Sequence, residues 1–175
     1  MKHILNSRLL SRTTKLQAYT AILIPIATYA CETWSLTKEM ERMLLVYEHK
    51  ILRRILGRVR DEETGEWRMR HNAELRELTR LPPITSHIRA QRLRWAGHVA
   101  RLPDGSLVKE VARGTPFDRR PPGRPRIRWQ DNVAADLAVL DVNDHQDWWE
   151  LAQNRRQWRN LVSATKDHPG LQLQE

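Results

Sequence analysis

The chain reads as all-α, an irregular helical bundle or bundles of about six helices with one Pro/Arg-rich loop. Three observations predict this. Apolar residues recur at spacings of three and four, helix-starting and helix-stopping residues bracket those stretches, and no segment shows the period-two alternation of a half-buried strand. There is also no internal repeat.

A first helix is expected from about Thr13 to Tyr29, kinked or split at Pro25, because proline removes a backbone donor and crowds the preceding turn. Thr37 then caps a second. Glu39 and Glu41 fall in its first turn, Lys50, Arg53 and Arg54 near its end and Gly57 just beyond, so charges and terminator agree with the helix dipole. Met40, Met43, Leu44, Tyr47, Ile51 and Ile55 recur at helical spacing, which predicts that they share one buried face. Residues 1–57 thus form a first helical segment. Residues 58–70, with mixed charges around Gly65, read as a linker.

A helical hairpin region is expected over 71–113. A short helix from Asn72 to about Arg80 is stopped by Pro82 and Pro83, and the next starts near Ile84 with a stripe of Ile84, Ile88, Trp95, Val99 and Leu102. His87, Arg94 and Arg101 stand seven apart and share one flank of that helix. Such a row can follow a phosphate backbone, and a solvated helix edge explains it equally well. Residues 114–126 contain Pro116, Pro121, Pro122, Gly123 and Pro125, too many breakers for regular structure, and form a basic loop. A carboxy-terminal helical pair should occupy 127–166. Its first member runs from about Ile127 with Trp129, Val133, Leu137 and Leu140 inward. The second starts near Asp144, with Trp148, Leu151, Trp158 and Val162 in register; Asp144 and Asp147 would sit at its positive end and Arg155, Arg156, Arg159 and Lys166 toward its negative end. Residues 167–175 should be a frayed tail.

Composition bounds the function. With 175 residues, 40% of them apolar, the chain can bury a core, so wholesale disorder is excluded. The single cysteine, Cys31, excludes an internal disulfide and a Cys-rich zinc site and points to a reducing, nuclear or cytoplasmic setting. The longest nearly apolar stretch, Ala18 to Cys31, is broken by Thr20, Pro25 and Thr28 and falls short of the roughly 20 residues that cross a bilayer, so no membrane is expected as a partner. The acid-free start, with Lys2, Arg8, Arg12 and Lys15 before Glu32, imitates a mitochondrial presequence; the competing explanation is that Met1 is an accidental start within a longer basic segment.

The formal charge is +9, from 30 Lys+Arg against 21 Asp+Glu, and its distribution says more than its size. Between Pro83 and Leu102 stand Arg89, Arg92, Arg94 and Arg101 without a carboxylate; between Arg113 and Arg128 stand Arg113, Arg119, Arg120, Arg124, Arg126 and Arg128 against Asp118 alone. Clustered guanidinium groups with few acids attract polyanions, which makes RNA or DNA the default partner. The expected phosphate contacts are Lys50, Arg53 and Arg54, then Arg92, Arg94 and Arg101, then the loop residues Arg119, Arg120, Arg124, Arg126 and Arg128. A Pro122-Gly123-Arg124-Pro125-Arg126 run has the form of a short AT-hook, an extended arginine-bearing strand for a narrow minor groove, and also that of a stiff lead into the next helix.

Catalytic patterns are not found. Asp131 and Asp136, five residues apart, project from a helix about 140° apart and cannot share a metal pair. The histidines include no His-Glu-x-x-His motif, and no phosphate-binding glycine loop or Gly-x-Ser-x-Gly occurs. No metal or cofactor is expected. Of the seven tryptophans, Trp95, Trp129, Trp148 and Trp158 fall on expected core faces, whereas Trp67 and Trp149 are the better candidates for stacking on bases, with packing the competing role.

Four stretches taken in order carry a resemblance. They are Ala21-Ile22-Leu23-Ile24-Pro25 continuing through Thr28-Tyr29-Ala30-Cys31-Glu32-Thr33-Trp34-Ser35-Leu36-Thr37; Arg92-Leu93-Arg94-Trp95-Ala96-Gly97-His98-Val99-Ala100-Arg101; Gly123-Arg124-Pro125-Arg126-Ile127-Arg128-Trp129 with Asp131 and Asp136-Leu137; and Ala152-Gln153-Asn154-Arg155 with Trp158-Arg159 and Leu161-Val162. From about residue 15 to 166 the chain resembles the carboxy-terminal part of the endonuclease/reverse transcriptase of non-LTR, LINE-like retrotransposons. The resemblance implies that residues 1–57 correspond to the thumb that grips the primer-template duplex and the rest to a carboxy-terminal extension. It implies a parent enzyme that is an RNA-directed DNA polymerase acting by target-primed reverse transcription, with catalytic Asp-Asp and endonuclease regions outside this chain. The fragment would then bind nucleic acid, and contact the missing amino-terminal polymerase portion, without catalysing. Ala30 stands where the family often has glycine, and Asn154 where an aspartate often precedes the arginine. The rival reading is a helical protein-interaction module, or an AT-hook-like DNA-binding protein, without enzymatic role.

Overall fold

A computed structural model of the chain describes residues 2–114, 127–140, 142 and 148–167. These are predominantly helical, as expected, and the chain divides into two compact units, Met1–Tyr29 with Glu39–Thr85 and Ala30–Lys38 with Ser86–Glu175.

In the first unit, α1 (Lys2–Asn6) precedes α2 (Arg12–Ala18), which Ser11 caps by accepting from the Thr14 amide. The expected break near Pro25 takes a definite form. The helix widens into a π turn over Tyr19–Leu23 that runs directly into α3 (Ile24–Ala27), so Pro25, which has no N–H to give, falls where the hydrogen-bond ladder is already shifted. Next comes α4 (Lys38–Leu56), starting directly after Thr37 and ending at Gly57, whose φ of +78° suits a residue without a Cβ.

The inward face of α4 matches the expected one at Ile51 and Ile55 and departs from it over the first half of the helix. Leu45, Glu48, His49, Ile51, Leu52, Ile55 and Leu56 are buried, while Met40, Met43 and Tyr47 are exposed. Ile51, Leu52, Ile55 and Leu56 form a core with Leu5, Tyr19, Leu23 and Leu75. Buried Glu48 accepts from the Tyr19 hydroxyl at 2.8 Å and the Ile84 amide at 3.2 Å. Burial pushes its pKa upward while these donors oppose the shift.

Residues 58–70, expected as a linker, contain a short antiparallel hairpin. β1 (Val59–Arg60) pairs antiparallel with β2 (Trp67–Arg68) around a turn in which Asp61 accepts from the amides of Glu63 and Thr64. The Arg68 guanidinium ties this hairpin to Asp61 at 3.0 Å and to Glu74 at 2.6 Å, in the first turn of α5 (Asn72–Thr79). The hydrogen bond from Arg68 is the main reason the Glu74 carboxyl is held down at about 2. Strands of two residues are too short to show an alternation, which is why the pattern missed them.

In the second unit, a short 3-10 turn (Cys31–Thr33) precedes α6 (Ile84–Ala100), α7 (Leu107–Arg113), α8 (Trp129–Ala138), α9 (Trp148–Leu151) and α10 (Arg155–Asp167). Ala90, Leu93, Ala96 and Ala100 of α6 pack with Val133, Leu137, Ala152, Trp158 and Val162. Trp158 lies so close to α6 that a Cβ on Gly97 would collide with its ring, and its indole N–H donates to the Leu93 carbonyl at 2.8 Å. The segment after Tyr29 is fastened to α8: the Trp129 indole donates to Glu32 O at 2.7 Å, and Asn132 exchanges hydrogen bonds with both backbone groups of Leu36. That segment opens with Ala30 at φ +56°, in the left-handed region glycine enters without a steric penalty. This accounts physically for glycine at that position in the family resembled.

The single last helix expected from near Asp144 is broken at Asn154. The Asn154 side chain accepts from the amides of Arg156 and Gln157 and starts α10 afresh. Arg155, Arg156 and Arg159 therefore lie at the positive end of a helix, the reverse of the expectation. Among the described residues, no helix is long and apolar enough to cross a membrane.

Candidate nucleic-acid interface

Helices α6 and α10 enclose a cleft of about 550 Å³ in the second unit, lined by Arg94, His98, Arg101, Leu102, Arg155, Trp158, Arg159, Val162 and Ser163. Arg94 and Arg101, seven residues apart, come from α6 as the sequence row expected; half-buried His87 is not in the lining. Arg155 and Arg159, one turn apart, face them from α10. Among the described residues, no acidic side chain lines the cleft.

The electrostatics follow from this placement. Arg101 is steadied by donating to the Ala152 carbonyl at 2.6 Å, and its pKa is lowered first by burial and then by the like charge of Arg155. Arg94 donates to the Gln91 side chain, a neutral partner that leaves its charge uncompensated. The amino-terminal end of α10 adds its own positive potential. Guanidinium groups so placed can each offer two hydrogen bonds to an anion with several acceptor oxygens.

The other expected contacts separate into three groups. Arg92 is corrected outright: it is wholly buried and donates from Nε to Asp136 at 2.8 Å, with Arg89 reaching the same carboxylate at 3.5 Å. No phosphate can replace that partner on the closed side of α6. Arg53 is likewise a structural group, donating to Arg70 O at 2.9 Å and Asn72 Oδ1 at 2.6 Å to join α4 to the start of α5. Lys50 and Arg54 are exposed on α4, in the first unit. Arg128, at the start of α8, lines a different groove. Arg119, Arg120, Arg124 and Arg126, and with them the AT-hook-like run, lie outside the described residues.

That second groove, about 610 Å³, is largely apolar: Trp95, Val99, Trp129 and the exposed Leu107, Val108 and Val111 of α7 line it. Of the stacking candidates, Trp67 is exposed, whereas Trp149 is stacked on Trp148 at 4.2 Å and covered by Arg113 at 4.8 Å. Among the described residues, no three His, Cys, Asp or Glu side chains gather where they could hold a metal ion. Arg155 and Arg159 were missed as site residues because their role depends on the break at Asn154, whose cue was the asparagine itself, a strong cap residue before a polar turn; His98 was legible by spacing, four residues after Arg94 and three before Arg101 on the same flank of α6.

Fold and cleft together define a basic helical protein with an arginine-lined cleft. A protein of Caenorhabditis elegans named as transposon-derived is 23% identical to the chain over 151 residues, covering 85% of this chain and 53% of that protein. The chain thus spans about half the length of this relative, and the likeness is consistent with a transposon-related origin. No family model and no solved structure matches.

Proposed function

We propose that the chain is a nucleic-acid-binding, catalytically incomplete carboxy-terminal fragment of a non-LTR retrotransposon reverse transcriptase, whose parent activity is RNA-directed DNA polymerisation by target-primed reverse transcription. The observation that carries the binding is the cleft in which Arg94, Arg101, Arg155 and Arg159 converge with no carboxylate among the described residues of its lining. The four ordered sequence stretches support the retrotransposon origin, and the transposon-derived relative supports its coarser form. Such a fragment contributes grip and positioning, while nucleotide transfer rests with metal-bound carboxylates elsewhere in the parent.

The test is a filter-binding titration. If four cleft arginines neutralise four phosphates, affinity falls about fifty- to 150-fold between 50 and 200 mM salt. A flat salt response overturns the reading, and primer extension by the purified chain with Mg²⁺ overturns its non-catalytic part. The exposed apolar row on α7 favours a second reading, a helical protein-interaction module. That reading gains if the chain shifts neither RNA nor DNA.

A further inference from the structure

We propose that the cleft between α6 and α10 takes an unpaired strand in preference to a duplex, with His98 as the platform for a base; this rests on the nucleic-acid reading above. Three observations carry it.

The first is size. At about 550 Å³ the cleft falls within the range of small-ligand sites, roughly 300–1,000 Å³, which suits one nucleotide or two and not a double helix. The second is the disposition of charge. Arginines stand on both facing helices, Arg94 and Arg101 on one and Arg155 and Arg159 on the other, so a phosphate that enters is met from two sides. A duplex exposes its phosphates on an outer surface and its base faces stay stacked inside; a strand free of its complement can put backbone and base into one pocket.

The third is the chemistry of the remaining lining. Leu102, Trp158 and Val162 supply an apolar wall, and Trp158 is fixed in place by its bond to Leu93. His98 is exposed at the cleft, and its ring is backed by Trp95 at 5.2 Å between centroids, tilted by 33°. A supported planar ring beside an apolar wall, flanked by cations, matches a nucleotide, which carries a flat face and an anion on one unit. Every base has such a face, so the site is tolerant of sequence.

The experiment is fluorescence anisotropy on the full chain, with a labelled 20-nucleotide single strand and the blunt duplex made from it, at matched salt. Wild type is expected to bind the single strand at least tenfold tighter. His98→Ala should narrow that ratio by a factor of about five or more, the scale of one lost stacking contact, and His98→Phe should restore it. Restoration by phenylalanine separates stacking from charge and from misfolding. Equal or tighter binding of the duplex by wild type overturns the strand preference, and a ratio that His98→Ala leaves intact overturns the platform role of His98, while a steep salt response on both polymers keeps the wider reading. Failure to bind either polymer overturns both.

Discussion

Two faces of α6 carry arginines two residues apart in sequence, and they have opposite fates. Arg92 turns inward and is closed over by the Asp136 carboxylate; Arg94 turns outward into a cleft with three more arginines and, among the described residues, no acid. Formal charge is the same at both positions. Burial and pairing decide which guanidinium holds the protein together and which is left for a ligand. Because a buried ion pair is costly to desolvate, its removal is felt chiefly as a charge left without a partner.

The largest expected effect follows from that. Asp136→Asn leaves Arg92 and Arg89 buried beside a neutral group and should destabilise the second unit by about 3–5 kcal/mol, read from urea unfolding followed by tryptophan fluorescence. A double replacement of Arg92 and Asp136 by apolar residues of similar volume should recover most of this loss; if it does not, the contrast between the two faces is drawn wrongly. Next is Ala30→Gly, which releases a left-handed alanine and should raise stability by about 1 kcal/mol, visible as a higher urea midpoint.

Arg68 stands between the two extremes, paired with Glu74 but partly exposed. The folded-state pKa of Glu74, about 2, lies below its ordinary value, so the pair's contribution is fully present above about pH 4.5 and is lost as pH falls through about 2. The stability gap between wild type and Glu74→Gln should therefore be widest near neutrality and close toward pH 2; a gap that widens on acidification contradicts the assignment. The smallest effect on stability belongs to the open cleft. Arg155→Ala with Arg159→Ala should change unfolding by no more than about 0.5 kcal/mol per site while lowering the salt slope of nucleic-acid binding by about two.

Sequence pattern identified the α4 and α5 boundaries because their signals are local: Thr37 and Gly57 bracket one, Asn72 and the Pro82-Pro83 pair the other. It misjudged which side of α4 faces inward, since Met40, Met43 and Tyr47 have the spacing of a core stripe whether or not anything covers them. The same limit applies to charge. Arg94 and Arg101 were legible as a row on one helix, but the partner that buries Arg92 lies 44 residues further along the chain. The facing wall was invisible for a different reason: Arg155 and Arg159 were read as the tail of a long helix because the restart at Asn154 went unrecognised.

That restart has an energetic consequence. Helices ordinarily carry acids in their opening turn, and α10 carries Arg155 and Arg156 there with no acid at all. The unliganded chain thus holds cations against the end of a dipole that repels them, and Arg155 also repels Arg101. On the function proposed above, an arriving polyanion would discharge this repulsion as well as making its own contacts. Occupancy should then act as a brace for the second unit, raising its melting temperature in proportion to saturation, and the apo protein should be the form most readily clipped by proteases.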